Sequence, residues 1–469
     1  MGQNEDFLFT LHQFIASTLA LFFIYFAWRD QKANTFDGLP NVSRKIIIPL
    51  LVGICLGLMG LFLYEWGSQA IILAVSYAIL ITSMLYDPKY AVSFFIFILI
   101  SRPWEFFNNQ LMFAMPRDLF ILTFCSFIAH KIYRKRFYFQ WNMASALMFF
   151  YAAWTFFCIF PSAHPTQGLE GYLEVFIKGV LIYFLIVNVI DRKEYLLSIQ
   201  AAFILGITEK SIMSFYKLYI LKILGVGERL VSVGILENSN DIAAIMILVL
   251  PFTLVVFKDM KHNYLRTLIQ LAILAFYTNL IWQSKSRGAI LGIGMLAMSW
   301  YWLQAKSKIK ATLIVITIAS FSYFAMGAIK RDAGDIEGST SNRLTYWKAG
   351  LKMGTKSPIF GVGYGEFTPR FFEFADGMVG SEGAHKTVHS TWILAWAESG
   401  AVGFLFYFGV WLCALKAGWI MRHDRPEYIL GLLSYGMAIT FLSHTYMLYP
   451  YILLALTIAS GQFYLKSKT

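Results

Sequence analysis

The sequence predicts an all-α membrane protein that crosses the bilayer many times. Of 469 residues, 58% are hydrophobic and only 14% are charged. The apolar residues are gathered into stretches of spanning length, about twenty residues for a straight helix. In hydrocarbon every backbone amide must find its partner inside a helix or a closed barrel. These stretches are too long and too unbroken for barrel strands, so helices remain.

Candidate spans lie near 7–28, 46–64, 68–86, 89–102, 118–131, 143–161, 172–190, 196–223, 240–257, 264–283, 288–303, 311–329, 389–416, 428–445 and 447–465. The stretches 89–102 and 118–131 fall short of a straight span, and 196–223 is interrupted by Glu209, Lys210 and Lys217, so twelve to fifteen crossings are expected. The first stretch has an acidic leader and no small-residue cleavage site, which makes it a retained span rather than a signal peptide. Glu174 and Lys178, four residues apart, are expected to form a buried ion pair. Cys55, Cys125, Cys158 and Cys413 all fall within spans and lack metal or redox spacing, so they read as inert core residues.

The net charge of +12 does not point to nucleic acid, because the basic residues are spread over short loops instead of forming one face. They mark topology. Clusters at 29–45, 131–136, 192–193, 258–266, 306–310, 422–425 and 466–468 are assigned to the cytoplasm. The loops around Arg102, His164, Asn238 and Arg287 then share the opposite side with a polar segment, 330–388. No fixed-period repeat appears, so a single integral-membrane domain, 1–469, is expected, with 330–388 as its extracytoplasmic insertion.

Four patterns on that outer side carry chemistry. Gln283-Ser-Lys-Ser-Arg-Gly288 sets Lys285 and Arg287 at the end of one span and the start of the next, beside a glycine that permits close backbone approach. Ser339-Thr-Ser-Asn-Arg343, with Leu344, Trp347 and Leu351 following at helical spacing, predicts a capped amphipathic helix that ends before Pro358. Arg343 would lie in its first turn, where the helix dipole disfavours a cation unless an anion is present. A helix N-terminus together with a guanidinium suits phosphate.

Pro358-Ile-Phe-Gly-Val-Gly-Tyr-Gly365 looks like a nucleotide-binding glycine loop, but no strand precedes it and no Lys-Ser or Lys-Thr pair follows. It reads instead as a tight turn that folds the outer helix back over the bundle. The fourth pattern is His385-Lys-Thr-Val-His389-Ser-Thr-Trp392, continuing to Glu398-Ser-Gly400. Of eight histidines, His389 is the one expected where an outer loop meets a span, and a histidine so placed can take a proton from a hydroxyl.

Taken in order, Leu236-Glu-Asn238, Ser286-Arg-Gly288, Arg343 with Trp347, Ser357 to Gly365, and His389 leading to Glu398-Ser-Gly400 and Gly403 resemble the O-antigen ligase and polymerase superfamily of bacterial envelope glycosyltransferases. The resemblance covers roughly 234–415. Its members usually carry asparagine after the histidine; here Ser390 stands there, with shorter hydrogen-bonding reach.

The resemblance implies an enzyme of the cytoplasmic (inner) membrane, acting at its outer face without a cofactor, metal or nucleotide sugar. The donor it implies is an undecaprenyl-pyrophosphate-linked glycan. The acceptor is a hydroxyl, on lipid A core for a ligase, on a second lipid-linked repeat for a polymerase, or on a protein for an O-oligosaccharyltransferase. Ligation is the reading favoured. Arg287 and Arg343 are expected to stabilise the leaving pyrophosphate and His389 to be the base, with inversion at the anomeric carbon. Lys285, Asn238, Tyr364, Glu398 and Ser390 are second-rank binding candidates. A lipid-linked oligosaccharide flippase would share the cations, but no internal symmetry of the transporter kind is visible.

Overall fold

The computed structural model describes residues 87–102, 110–133, 139–232, 234–256, 263–328, 340–375 and 387–468. The three candidate spans before residue 87, Cys55, and the retained-span reading of the first stretch lie outside them. The described residues form an all-α membrane protein of fourteen helices: α1 (Pro88–Ser101), α2 (Gln110–Tyr133), α3 (Met143–Phe157), α4 (Pro165–Val189), α5 (Lys193–Tyr219), α6 (Ser239–Val256), α7 (Asn263–Gln283), α8 (Arg287–Gln304), α9 (Lys308–Ala328), α10 (Thr340–Lys356), α11 (Phe367–Phe374), α12 (Thr391–Ile420), α13 (Pro426–Ile439) and α14 (Leu448–Lys468). Five of them, α4, α5, α7, α12 and α14, are long and apolar enough to cross a membrane, and α1, α3, α6 and α9 contain shorter apolar helices.

Two compact units emerge. One comprises the described residues up to Phe139 together with Lys193–Gly206; the other comprises Gln140–Arg192 and Ile207–Thr469. The second holds every predicted site residue. Its interior joins α12 to α3, α10 and α14, α13 to α6 and α8, and α14 to α4. Small residues set the closest approaches: a Cβ on Gly292 of α8 would lie 3.1 Å from the Ser434 carbonyl of α13.

Several sequence expectations need correction. The stretch 196–223 is unbroken helix as far as Tyr219, where α5 ends, and Glu209 and Lys210 are buried within it. Lys217 is accommodated near its end by donating to the Ser232 carbonyl at 2.7 Å. Glu174 and Lys178 are both exposed rather than buried, and a π-helical turn at Tyr172–Phe176 disturbs the one-turn spacing on which the pairing relied. Cys125 is exposed, Cys413 half-buried and Cys158 buried. The stretch 428–445 ends early: α13 stops at Ile439 and α14 begins at Leu448, leaving a polar connection at residues 440–447 that was read as part of a span.

Candidate functional site

The segments predicted to share one side that fall in the second unit are tied together by specific contacts. His164 of the α3–α4 connection donates its backbone N–H to Glu366 Oε1 at 2.6 Å, and its Nδ1 lies 3.0 Å from Oε2. Gly288 of α8 packs on Phe441, where a Cβ would come within 3.2 Å. The start of α6 reaches the same connection through Asp241, which lies 2.9 Å from His444 Nε2. The loops at His164, Asn238 and Arg287 are therefore linked to residues 340–375 within the second unit, while Arg102, predicted to share their side, belongs to the first.

A helix, α10, forms where the spacing predicts one, with Arg343 as its fourth residue, but its buried stripe is not the predicted one, because Leu344 and Leu351 are exposed and Trp347 is only half-buried. Tyr346, Ala349 and Met353 turn inward against Phe367, Phe371, Val388, Leu394 and Ala397, while Leu344, Lys348 and Lys352 face outward. One turn beyond Arg343, two aromatics hold His389: Trp347 Nε1 donates to its carbonyl at 3.3 Å, and the Tyr346 ring lies 5.8 Å from the imidazole. Trp347 also packs on Phe441 at 5.9 Å, the residue against which Gly288 rests. Phe441 thus lies between Gly288, the residue after Arg287, and Trp347, the residue that holds the His389 carbonyl.

His389 is half-buried and adopts φ +51°, a left-handed conformation that a non-glycine residue holds only when its surroundings impose it. Its N–H donates to Ser443 Oγ at 3.0 Å. The Thr387 hydroxyl makes only long contacts with the ring, 3.4 Å to Nδ1 and 3.3 Å to Nε2. Arg287 is the first residue of α8, after Ser286, whose side chain caps the helix by accepting from the Ala289 N–H. Among the described residues Arg287 Nε is buried and has no hydrogen-bond partner, a donor that an anion would satisfy.

The other candidates divide. Ser390 caps α12, accepting from the Ile393 N–H at 3.4 Å, which a short hydroxyl can do as well as asparagine. Asn238 caps α6: its Oδ1 accepts from the Asn240 N–H, and its carbonyl accepts from Asp241 and Ile242. Lys285 donates to the Gly227 carbonyl at 2.8 Å and lies 3.9 Å from Glu228, fastening the 220–238 loop over the α7–α8 turn.

Glu398 and Tyr364 belong to a second cluster. Glu398 Oε1 accepts from the Phe367 N–H at 3.0 Å, at the start of α11. The Tyr364 hydroxyl donates to the Gly171 carbonyl at 3.1 Å, and its ring packs on Tyr446 at 4.5 Å. Burial first, and then the Glu398 carboxyl, hold that hydroxyl well above the usual tyrosine range.

The glycine motif and Glu398-Ser-Gly400 form one device. Helix α12 breaks at Gly400, φ +64°, and its free carbonyls are taken from outside. Val362 N–H donates to Ala397, Gly363 N–H to Glu398 and Trp154 Nε1 to Ser399, while the Ala401 N–H turns to Pro358. The approach is so close that a Cβ on Gly361 would lie 2.5 Å from the Ala397 carbonyl oxygen, and one on Gly400 would lie 2.3 Å from that of Ile359.

Residues 271–408 match the O-antigen ligase family model. The match begins in α7, takes in Arg287, Arg343 and His389, and ends within α12. It supports the resemblance to the O-antigen ligase-like superfamily and, in general terms, glycosyltransferase activity of the ligase or polymerase type. A search of curated proteins gives no match.

Sequence reasoning missed one group beside this site. His444 is fully buried, with Nε2 2.9 Å from Asp241 Oδ1 and Nδ1 2.7 Å from the Tyr435 hydroxyl. Among the described residues His389 is thus not alone in standing just beside the end of an apolar helix. The available signal was the polar run Ser443-His-Thr445 inside an otherwise apolar stretch.

Proposed function

We propose that this chain transfers a glycan from a polyprenyl pyrophosphate to an acceptor hydroxyl at the outer face of the cytoplasmic membrane, with ligation to lipid A core as the favoured reaction. The observation that carries the reading is the meeting of α8, α10 and the His389 turn at Phe441 and Trp347. It links two helices that each carry a guanidinium in the first turn, through Phe441 and Trp347, to the turn that bears one imidazole.

The chemistry follows from those groups. The anomeric carbon is joined to a pyrophosphate oxygen, already a good leaving group. As the acceptor oxygen forms its bond to that carbon, the carbon–oxygen bond to pyrophosphate breaks and its electron pair stays with the phosphate. Arg287 and Arg343 oppose the growing negative charge, each at the first turn of a helix whose N–H groups also favour an anion. The acceptor proton passes to the His389 ring. Attack opposite the leaving group inverts the anomeric configuration. Ser390 and Asn238 serve as caps that aim α12 and α6, and Lys285 holds the loop that borders Arg287.

The test is reconstitution of the full chain with an undecaprenyl pyrophosphate oligosaccharide and lipid A core, following free undecaprenyl pyrophosphate and glycosylated core by mass spectrometry. Wild type should form both products and His389→Ala neither. Release only with a second lipid-linked repeat or a protein acceptor would move the reaction to polymerisation or protein glycosylation. Absence of release with every acceptor would leave a lipid-linked oligosaccharide transporter as the better reading.

A further inference from the structure

We propose that His444, held between Asp241 and Tyr435, is a positioning residue that sets the orientation of His389. The inference rests on the reading of His389 as the base. It starts from the strain already described: a left-handed histidine needs rigid neighbours, and the neighbour here is the connection between α13 and α14.

That connection is cross-braced to residues 389–391. Ser443 Oγ accepts from the His389 N–H at 3.0 Å, and the Thr391 hydroxyl donates to the Leu442 carbonyl at 2.7 Å. The His444 N–H donates to Thr391 Oγ1 at 2.9 Å, and the Thr445 hydroxyl donates to the Thr391 carbonyl at 2.8 Å. Every one of these contacts depends on where the connection itself sits. Within it His444 is fully buried, as is Thr445, and both His444 ring nitrogens are engaged.

A ring gripped at both nitrogens cannot rotate or slide without breaking one contact. The grips come from different helices. Asp241 stands in the first turn of α6, where the helix dipole favours a carboxylate, and Tyr435 lies in α13. Asn238 places Asp241 by capping that turn. Through His444, the cap of one helix thereby fixes the residue, Ser443, that carries the His389 backbone. A displacement of about 1 Å at a reacting group can cost on the order of a hundredfold in rate.

The test compares wild type with Asp241→Asn, His444→Gln and the double variant in lipid nanodiscs, reading kcat and the KM for the donor separately. It also reads the His389 imidazole resonance in protein carrying isotope-labelled histidine, the signal being identified by its loss in His389→Ala. A positioning role predicts a kcat loss of about ten- to hundredfold with KM within about twofold. The double variant should be no worse than the poorer single one, and the His389 resonance should move in each. Should either variant fail to fold, Ser443→Ala removes only the hydroxyl under His389 and should reproduce the kcat loss and the moved resonance.

Unchanged kcat, or an unmoved His389 resonance in folded Asp241→Asn or Ser443→Ala, overturns the proposal. If wild type transfers no glycan while Asp241→Asn still moves the resonance, the positioning link stands and the glycosyl-transfer reading falls.

Discussion

Position 343 asks for a planar, forked cation. Arg343 lies one turn from the aromatics that clamp His389, where a guanidinium can offer two parallel N–H groups to a phosphate and an ammonium cannot. Arg343→Lys should therefore lose on the order of 3 kcal/mol of transition-state stabilisation, about a hundredfold in kcat/KM. Turnover at the wild-type rate would remove Arg343 from this role. His389 is the second demanding position. Its φ of +51° suits few side chains, so His389→Asn, which tolerates that conformation, should fold normally yet lose transfer. Membrane yield and thermal midpoint alongside the product assay separate the two effects.

Helix α12 is two segments joined by hydrogen bonds lent from residues 358–363 and Trp154. Gly361→Ala should be severely destabilising, by about 2–4 kcal/mol, because it combines a left-handed backbone with a collision against the Ala397 carbonyl. Gly436→Ala, in the interior of α13 with its nearest contact at an ordinary 3.6 Å, should be neutral or stabilise by up to about 1 kcal/mol. Thermal unfolding in detergent compares them directly. Helix α11 carries an exposed pair in which Arg370 bonds both oxygens of Glu373. That bond holds the Glu373 carboxyl below its usual range, and Arg370 is raised in return. The pair's contribution is present above the unfolded-state pKa of about 4.3 and disappears as pH falls through the lower folded value. Being solvent-exposed, it amounts to less than about 1 kcal/mol. The protection factor of α11 amides, corrected for the intrinsic pH dependence of exchange, should fall on acidification through that window, and less so in Glu373→Gln; an equal fall in both would dismiss the pair.

For the molecule as a whole, the proposed function assigns two cations on separate helices, Arg287 and Arg343, to a ligand with two adjacent phosphates. A donor with a single phosphate link should turn over at least about a hundredfold more slowly in wild type, and Arg287→Ala should discriminate between the two donors far less. Equal discrimination would separate Arg287 from the pyrophosphate. The helices and their common end were legible because apolar length and basic loops report directly on burial and sidedness. Arg287, Arg343 and His389 drew notice as candidates because each stands where a polar segment meets a helix, Arg287 between two apolar runs and the other two within or at the exit of residues 330–388. The bond between the glycine motif and Glu398-Ser-Gly400 was not, since the partners stand far apart in the chain and the contacts are made by backbone atoms. His444 was hidden for another reason: Phe441, Leu442, Tyr446 and Met447 surround it with enough apolar character to pass for a span. The borrowed hydrogen bonds also have a consequence for biogenesis. Residues 358–363 precede Gly400 in the chain, so the ribosome makes the lender before the borrower. The partners of the break at Gly400 are therefore already synthesised when α12 emerges, and a chain lacking that earlier segment would leave the carbonyls of Ala397 and Glu398 without the donors they have here.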